Sequence, residues 1–343
     1  MNIEKTIEWL KEENCSLMID QTIIPYEYKK VKIKTSNDMY NAIKTMIVRG
    51  APAIGIAGAH GVVLAAIENK NSSDFYQDVE KAAQYINSSR PTAVNLKWAI
   101  EKQLDIIRNN INKTNKELIE LLVENAIKLE NEDIEINRKI GDYGAAIVPM
   151  GATILTHCNA GALATVGYGT ALGVVRSAFE KDKTIKVFAD ETRPRQQGAR
   201  LTTYELTRDG IDTTLITDGM SAYFMSHKMI DLVVVGADRI ALNGDSANKI
   251  GTYMVAIAAK YHNVPFYIAA PKSTIDPSIK TGDEIIIELR NKEEITIIND
   301  KPICTDKVKT INPGFDVTPN NLITGIITEY GIFKPNEIYK LFE

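Results

Sequence analysis

What most narrows the fold is a change of period in the middle of the chain. From about residue 150 onward, short runs rich in β-branched and apolar residues (Ala152–Thr156, Ile185–Ala189, Thr213–Ile216, Leu232–Val235 and Pro265–Ala269) alternate with helical stretches. The runs recur at intervals of roughly 20 to 30 residues, the length of successive βαβ units. Parallel strands need crossover connections, and the crossover helices cover both faces of the sheet. The spacing therefore predicts an α/β chain whose residues 146–343 form a Rossmann-like, parallel-sheet C-terminal domain. The tail from Asp316-Val317-Thr318-Pro319 reads as a final helix, with Thr318 as cap and Pro319 in its first turn.

Residues 1–145 carry a different signal, that of a mainly helical N-terminal domain preceded by a small β element. Ser16–Asp20 and Lys29–Ile33 flank Ile24-Pro25-Tyr26, a strand–turn–strand pattern. Met39, Ala42, Ile43, Met46 and Ile47 then mark one helix face, in a helix expected to stop near Gly50 and Pro52. Ala53–Glu68 follows as a glycine- and alanine-rich helix able to pack backbone-close. Ser73 or Asp74 caps the next helix, which Arg90-Pro91 ends, and another spans Asn95–Asn109. Thr114-Asn115-Lys116-Glu117 is a capping box that opens a long amphipathic helix towards Ile140, the expected bridge between the domains.

Composition removes several classes of function. With 343 residues, 44% hydrophobic and 24% charged, the chain can bury a core without disulfides or a structural metal. A formal net charge of −4 and no basic block argue against nucleic acid as a partner. Three cysteines, an odd number with none in a C-x-x-C pair, fit a reducing cytoplasm, and the four histidines have no zinc-ligand spacing. The N-terminus MNIEKTIEWLKEEN lacks the apolar core of a signal peptide. The uncharged runs Ala51–Ile67 and Tyr143–Val175 read as buried core, so no membrane is expected: the first is short for a span and the second is broken by Pro149, His157 and Asn159.

In open parallel sheets, ligands bind beyond the carboxyl ends of the strands. That rule selects His157-Cys158-Asn159, Asp190-Glu191, Thr217-Asp218, Gly236-Ala237-Asp238 and Ala270-Pro271-Lys272. Cys158 is either a small buried hydrophobe or a thiol activated by backbone N–H groups at a strand end. Cys15 and Cys304, in polar or peripheral segments, read as structural. Asp238, after the apolar run Leu232-Val233-Val234-Val235, is either a partly desolvated general acid, the ion-pair partner of Arg239 or a cap on a following turn. Asp190 is expected to pair with Arg193 or Arg195. Asn248-Lys249 reads as the start of a helix running through Gly251 to Lys260, a ready anion site. Arg49-Gly50-Ala51-Pro52 and Arg90-Pro91-Thr92 each place a guanidinium at a helix junction. Gly167-Tyr168-Gly169-Thr170-Ala171-Leu172-Gly173 imitates a dinucleotide fingerprint, but it begins too far after its strand, and several of its glycines are expected inside the helix.

Longer blocks carry a family resemblance. Arg49-Gly-Ala-Pro-Ala-Ile-Gly55, Arg90-Pro-Thr-Ala-Val-Asn-Leu96, Thr156-His-Cys-Asn-Ala-Gly161, Asp190-Glu-Thr-Arg-Pro-Arg195, Gln197-Gly198, Gly236-Ala-Asp-Arg239 and Asn248-Lys-Ile-Gly-Thr-Tyr253 resemble the methylthioribose-1-phosphate isomerases. The likeness runs from Ile19-Asp20-Gln21 to Asn312-Pro313-Gly314-Phe315-Asp316, nearly the whole chain. The wider superfamily holds 5-deoxyribose-1-phosphate and ribose-1,5-bisphosphate isomerases and regulatory subunits of a translation-initiation nucleotide-exchange complex. The resemblance implies an aldose–ketose isomerase of methionine salvage acting on 5-methylthioribose 1-phosphate, with a 5-deoxyribose-1-phosphate isomerase or a non-catalytic regulatory subunit as alternatives. It implies a homodimer, a site between the domains, a small sugar phosphate as substrate, and no metal or nucleotide cofactor. Cys158 and Asp238 become the catalytic pair, and Arg49, Gly50, Ala51, Arg90, Gln197, Asn248 and Lys249 the substrate-binding residues. Gln197 rests on the resemblance alone. The chain departs from the family at Ile285-Ile286-Ile287-Glu288-Leu289-Arg290, where such enzymes often carry a Pro and a Glu-Glu-Arg run.

Overall fold

The structure, a computed structural model, describes residues 4–91, 93–298 and 300–343. Thr92, part of the second arginine motif, and the first three residues of the N-terminal stretch lie outside the described residues. Contacts divide the chain into two compact units. One comprises the residues up to Arg138 together with Gly161–Gly169; the other comprises Lys139–Ala160 and Thr170–Glu343.

The first unit begins with three strands, β1 (Ile7–Leu10), β2 (Cys15–Ile19) and β3 (Lys30–Ile33), paired antiparallel in that order. The expected pair is present, and β1 adds a third strand whose Ile7 and Trp9 point inward. Helix α1 (Ser36–Lys44) ends before the anticipated Gly50, because Met46 takes a positive φ of 65° and turns the chain. Helix α2 (Ala51–Glu68) is buried from Ala53 to Ala66 and packs against α1, α3 (Phe75–Asn87) and α4 (Val94–Arg108). Among the described residues it is the helix with the length and hydropathy to cross a membrane, but 83% of it is buried inside the protein. A Cβ added at Gly55 would come within 3.0 Å of the Asn95 carbonyl, so the first turns of α2 and α4 lie side by side. Further along, Gln103 Nε2 donates to Ala59 O and Leu122 O. The predicted capping box opens α5 (Asn115–Ala145): Thr114 N donates to Glu117 Oε2 at 2.8 Å. The division between the units falls within this helix.

The second unit is built on a seven-stranded sheet. Its strands are β4 (Thr153–Thr156), β5 (Lys186–Asp190), β6 (Asp212–Ile216), β7 (Leu232–Val235), β10 (Phe266–Ala269), β15 (Gly325–Thr328) and β16 (Gly331–Phe333). Helices α6 (Ala171–Lys181), α7 (Thr203–Arg208), α8 (Ser221–Ser226) and α9 (Thr252–His262) connect them. The sheet order is β16-β15-β10-β7-β4-β5-β6, parallel except for β16. All five predicted strands are present. Strand β7 reads LVVV with every residue buried, the pattern of a strand covered on both faces.

A smaller four-stranded sheet, in the order β11-β8-β9-β14, joins β8 (Arg239–Ala241), β9 (Ser246–Lys249), β11 (Ile275–Asp276) and β14 (Phe315–Thr318). A short helix α10 (Glu293–Thr296) and the hairpin β12 (Ile297–Ile298)–β13 (Lys301–Pro302) lie between β11 and β14.

Three local expectations are corrected. The tail is not one helix: Thr318 ends β14, which pairs antiparallel with β9, and β15 and β16 follow before a 3₁₀ helix at Pro335–Phe342. Thr318 is fully buried in this ladder, and a buried β-branched residue in cross-strand pairing outweighs a capping motif. Asn248 and Lys249 belong to β9, not to the helix, because Gly251 at φ 103° separates strand from helix. In the glycine run, Gly167 and Gly169 precede α6, and only Gly173 lies inside it.

Candidate active site

The strand order places the two candidate catalytic residues, Cys158 and Asp238, within the second unit. The chain enters the sheet at its centre with β4, winds outward through β5 and β6, and returns to the other side of β4 with β7. Beyond the carboxyl ends of β4 and β7 the connections leave in opposite directions, opening the crevice where ligands bind in such folds. Cys158 lies two residues past β4, and Asp238 three past β7. The two connections touch: a Cβ on Gly236 would lie 2.7 Å from Ala160 Cβ, so only glycine lets them come this close.

Cys158 is 8% exposed and has a φ of 66°, a left-handed conformation that non-glycine residues seldom adopt. Its N–H donates to Thr192 Oγ1 at 2.8 Å and its carbonyl accepts from Thr202 Oγ1 at 2.7 Å. Asp238 is half-buried, and its N–H donates to Ala247 O at 2.9 Å, beside Asn248. The neighbouring Arg239 gives its guanidinium to Asp276, through Nε at 3.0 Å and through Nη2. The ion-pair alternative for Asp238 is therefore taken by another carboxylate.

His157 and Asp190, at the ends of β4 and β5, form a buried pair that corrects the expected Asp190–arginine bridge. His157 Nδ1 lies 2.9 Å from Asp190 Oδ2, and its Nε2 lies 2.9 Å from Ile250 O. Burial alone would lower the imidazole pKa. The hydrogen bond and charge of Asp190, with Asp218 beyond, outweigh burial and raise it. Ser221 Oγ donates to Asp190 Oδ1 at 2.6 Å. Arg193 instead donates to the Pro194 and Ile295 carbonyls, and Arg195 pairs with Glu294.

Ligand atoms of His157, Asp190 and Asp218 fall within 4.8 Å of one another. Every one of those atoms already serves a hydrogen bond, since Asp218 accepts from the N–H groups of Thr192 and Arg193 at 2.8 and 2.7 Å. The cluster therefore works as a scaffold for the loops after β4 and β5, and a metal would have to dismantle it.

Gln197 is 7% exposed, and its Oε1 is buried with no hydrogen-bond partner. A buried amide oxygen without a donor costs free energy that a ligand hydroxyl would recover. Asn248 Nδ2 donates to Thr252 Oγ1, and Lys249 Nζ donates to Gly314 O at 2.8 Å and lies 4.4 Å from the Phe315 ring centre. The N–H groups expected to bind an anion at the start of α9 are already engaged: those of Gly251 and Tyr253 donate to the Asp316 carboxylate. The departing segment backs this corner, because Gly314 N donates to Glu288 O at 2.9 Å.

The remaining predicted binding residues belong to the first unit. Gly50 caps α2 at φ 93°, and Ala51 is the first helical residue, so Arg49 stands at the helix start. Arg90 precedes α4 and is joined to it by the bond from Ala93 N to Arg90 O at 3.0 Å. With the first turns of α2 and α4 side by side, both arginines stand at the same end of the helix pair.

Sequence reasoning missed Thr192, Thr202 and the His157–Asp190 pair. The available signal was adjacency: His157 precedes Cys158, and Thr192 lies inside a block already singled out.

Comparison with known proteins agrees with this architecture. Residues 47–335 match the initiation factor 2 subunit family. The methylthioribose-1-phosphate isomerase of Thermotoga neapolitana is 54% identical over 96% of this chain and 95% of its own. That of Carboxydothermus hydrogenoformans is 52% identical over 98% of each chain. The crystal structure of 5-methylthioribose 1-phosphate isomerase from Pyrococcus horikoshii superposes with a TM-score of 0.91 at 42% identity, covering 99% of this chain and 96% of that one. A structure described as translation initiation factor eIF-2B, subunit delta, from A. fulgidus gives 0.86 at 45% identity, covering 98% and 99%. With matches of this identity spanning nearly its full length, the chain belongs to the initiation factor 2 subunit family and, within it, to the methylthioribose-1-phosphate isomerases.

Proposed function

We propose that the protein converts 5-methylthioribose 1-phosphate to 5-methylthioribulose 1-phosphate, an aldose–ketose isomerisation of methionine salvage, with Cys158 and Asp238 as the catalytic pair. The observation that carries this reading is the placement of one thiol and one carboxyl beyond the two strands that flank the switch point. The phosphate on the anomeric oxygen prevents spontaneous ring opening, so a general acid must protonate the ring oxygen as its bond to carbon 1 breaks. Asp238 takes that role. The hydrogen on carbon 2 must then reach carbon 1. In a proton route, Cys158 as thiolate removes it to leave an enol; the thiol so formed protonates carbon 1 while the Asp238 carboxylate takes the proton of the carbon-2 hydroxyl, which returns both groups to their starting states. In a hydride route, the hydrogen moves with its electron pair and Cys158 takes the proton of the carbon-2 hydroxyl. Both routes are redox-neutral within the substrate. Solvent deuterium appearing at carbon 1 of the product would exclude a pure hydride shift.

Arg49, Gly50, Ala51, Arg90, Gln197, Asn248 and Lys249 bind the sugar phosphate, supplying orientation more than chemistry. We also infer a homodimer and a cytoplasmic location. Tyr253, Met254, Ile257 and Tyr261 form an exposed apolar row along α9, which suits a protein partner.

Cys158→Ala and Asp238→Asn test the pairing. Each is expected to lower kcat by at least about a hundredfold in a folded protein; unchanged turnover in either removes that residue from the mechanism. Comparing kcat/KM for the 5-methylthio and 5-deoxy sugar phosphates decides between those two substrates, and turnover of neither would favour a regulatory subunit.

A further inference from the structure

We propose that Thr192 and Thr202 are positioning residues that clamp the Cys158 backbone in its left-handed conformation and thereby aim the thiol. The proposal rests on the reading of Cys158 as catalytic. Its geometry, however, is independent of any substrate.

The two peptide planes that meet at the Cys158 α-carbon are each held by one threonine hydroxyl. The N–H of the first donates to Thr192 Oγ1 at 2.8 Å, and the carbonyl of the second accepts from Thr202 Oγ1 at 2.7 Å. Fixing both planes fixes φ and ψ, and therefore the direction of the Cα–Cβ bond that carries the sulfur. Donor and acceptor accounting is complete at both hydroxyls. Thr192 sends its own proton to Asp190 O at 3.0 Å, which frees a lone pair for the cysteine N–H. Thr202 spends its proton on Cys158 O and accepts from Asn159 Nδ2 at 3.2 Å. A serine could make the same bonds; a valine of the same shape could make neither.

The clamp is itself braced. Thr192 has a φ of 64°, a conformation rare for any β-branched residue. Such a backbone persists only where its surroundings over-determine it. Here the Thr192 N–H donates to Asp218 Oδ1 at 2.8 Å, and its carbonyl accepts from Gln196 N at 2.7 Å. Thr202 closes a π-helical turn, Gly198–Thr202, whose Ala199 N–H donates to Glu191 O at 3.2 Å. Single π turns occur often at functional sites, where they re-aim side chains. This one begins directly after Gln197, so one irregular turn sets both the second clamp and the predicted substrate amide. Asn159 adds a further anchor through Nδ2 to Glu205 Oε1 at 2.9 Å, and Glu205 is held by Arg176. Two left-handed non-glycine residues, Cys158 and Thr192, hydrogen-bonded to each other and fixed from three elements, hold the candidate catalytic thiol before any substrate arrives.

The test is Thr192→Val and Thr202→Val, each beside its serine counterpart, read by steady-state kinetics and by the pH profile of iodoacetamide alkylation. Modification is followed at Cys158 by peptide mass spectrometry. Each valine variant is expected to lower kcat by roughly ten- to a hundredfold with KM within about twofold, the range a small misplacement of a reacting group produces. It should also displace the alkylation profile of Cys158, and the serine variants should restore both. Valine variants with wild-type kcat and an unmoved alkylation profile would overturn the proposal. So would a loss confined to thermal stability, since that is what a merely structural contact gives. If Thr192→Val does not fold, Thr202→Val carries the test alone. Full turnover in Cys158→Ala would instead sink the catalytic reading, while the alkylation arm still reports whether the threonines set the thiol.

Discussion

At the scale of single residues, the strand-end rule brought out Cys158, Asp238, Asn248 and Lys249 because it asks only which residues follow a strand. It could not say what each would touch. Lys249 illustrates the limit: a cation in a supposed first helical turn sits in a strand with its ammonium on the Gly314 carbonyl. Asp190 drew its expected partner from sequence neighbours, whereas folding delivered His157 from 33 positions away. Arg90 is proposed to hold the phosphate and has no part in the proposed proton transfers, so removing it should cost binding and spare chemistry. Arg90→Ala is expected to raise KM by about tenfold with kcat within about threefold, the loss of one charge-assisted hydrogen bond to phosphate. A kinetic series on the purified variant checks this, and a fall in kcat at unchanged KM would place Arg90 in the chemical step.

At the scale of elements, periodicity and capping chemistry were readable because they are local. The apolar spacing of α1 and α2, the Thr114–Glu117 box before α5 and the five β-rich runs are each specified within a few residues. Strands β8, β9, β11 and β14 were not, since their partners lie far away in sequence and short strands have no period of their own. Junctions lie between these cases. Gly50 was visible as a break, but its φ of 93° and the proximity of Ala164 are tertiary facts. A Cβ there would come within 2.5 Å of the Ala164 backbone, whereas one on Gly210, at φ 74°, would meet nothing within 4 Å. Gly210→Ala should therefore destabilise by only about 1 kcal/mol, the cost of a left-handed alanine. Gly50→Ala should cost several times more. Chemical denaturation of the two variants side by side separates the conformational cost from the collision.

At the scale of the whole molecule, buried polar groups make stability depend on pH. Asp133 is enclosed in the first unit, where burial pushes its pKa up to about 7 despite the hydrogen bond from Val166 N at 2.7 Å. In the unfolded chain the same carboxyl titrates near its ordinary value of about 3.9. Between those values the native state binds more protons than the unfolded state, so this group's contribution to stability falls as pH rises towards 7 and levels off above it. Asp133→Asn should remove that slope, leaving the unfolding midpoint flatter between pH 5 and 8 than in the parent. A parallel decline in both proteins would assign the slope to other groups.

Taken alone, the sequence determined the α/β class, the helical first half and the strand-end candidates, because hydrophobic period and turn chemistry act over a few neighbouring residues. Only the tertiary structure decided which strands flank the switch point, which carboxylate meets His157, and how two threonines hold Cys158. Those depend on pairings between segments tens of residues apart, which the folded core selects as a set.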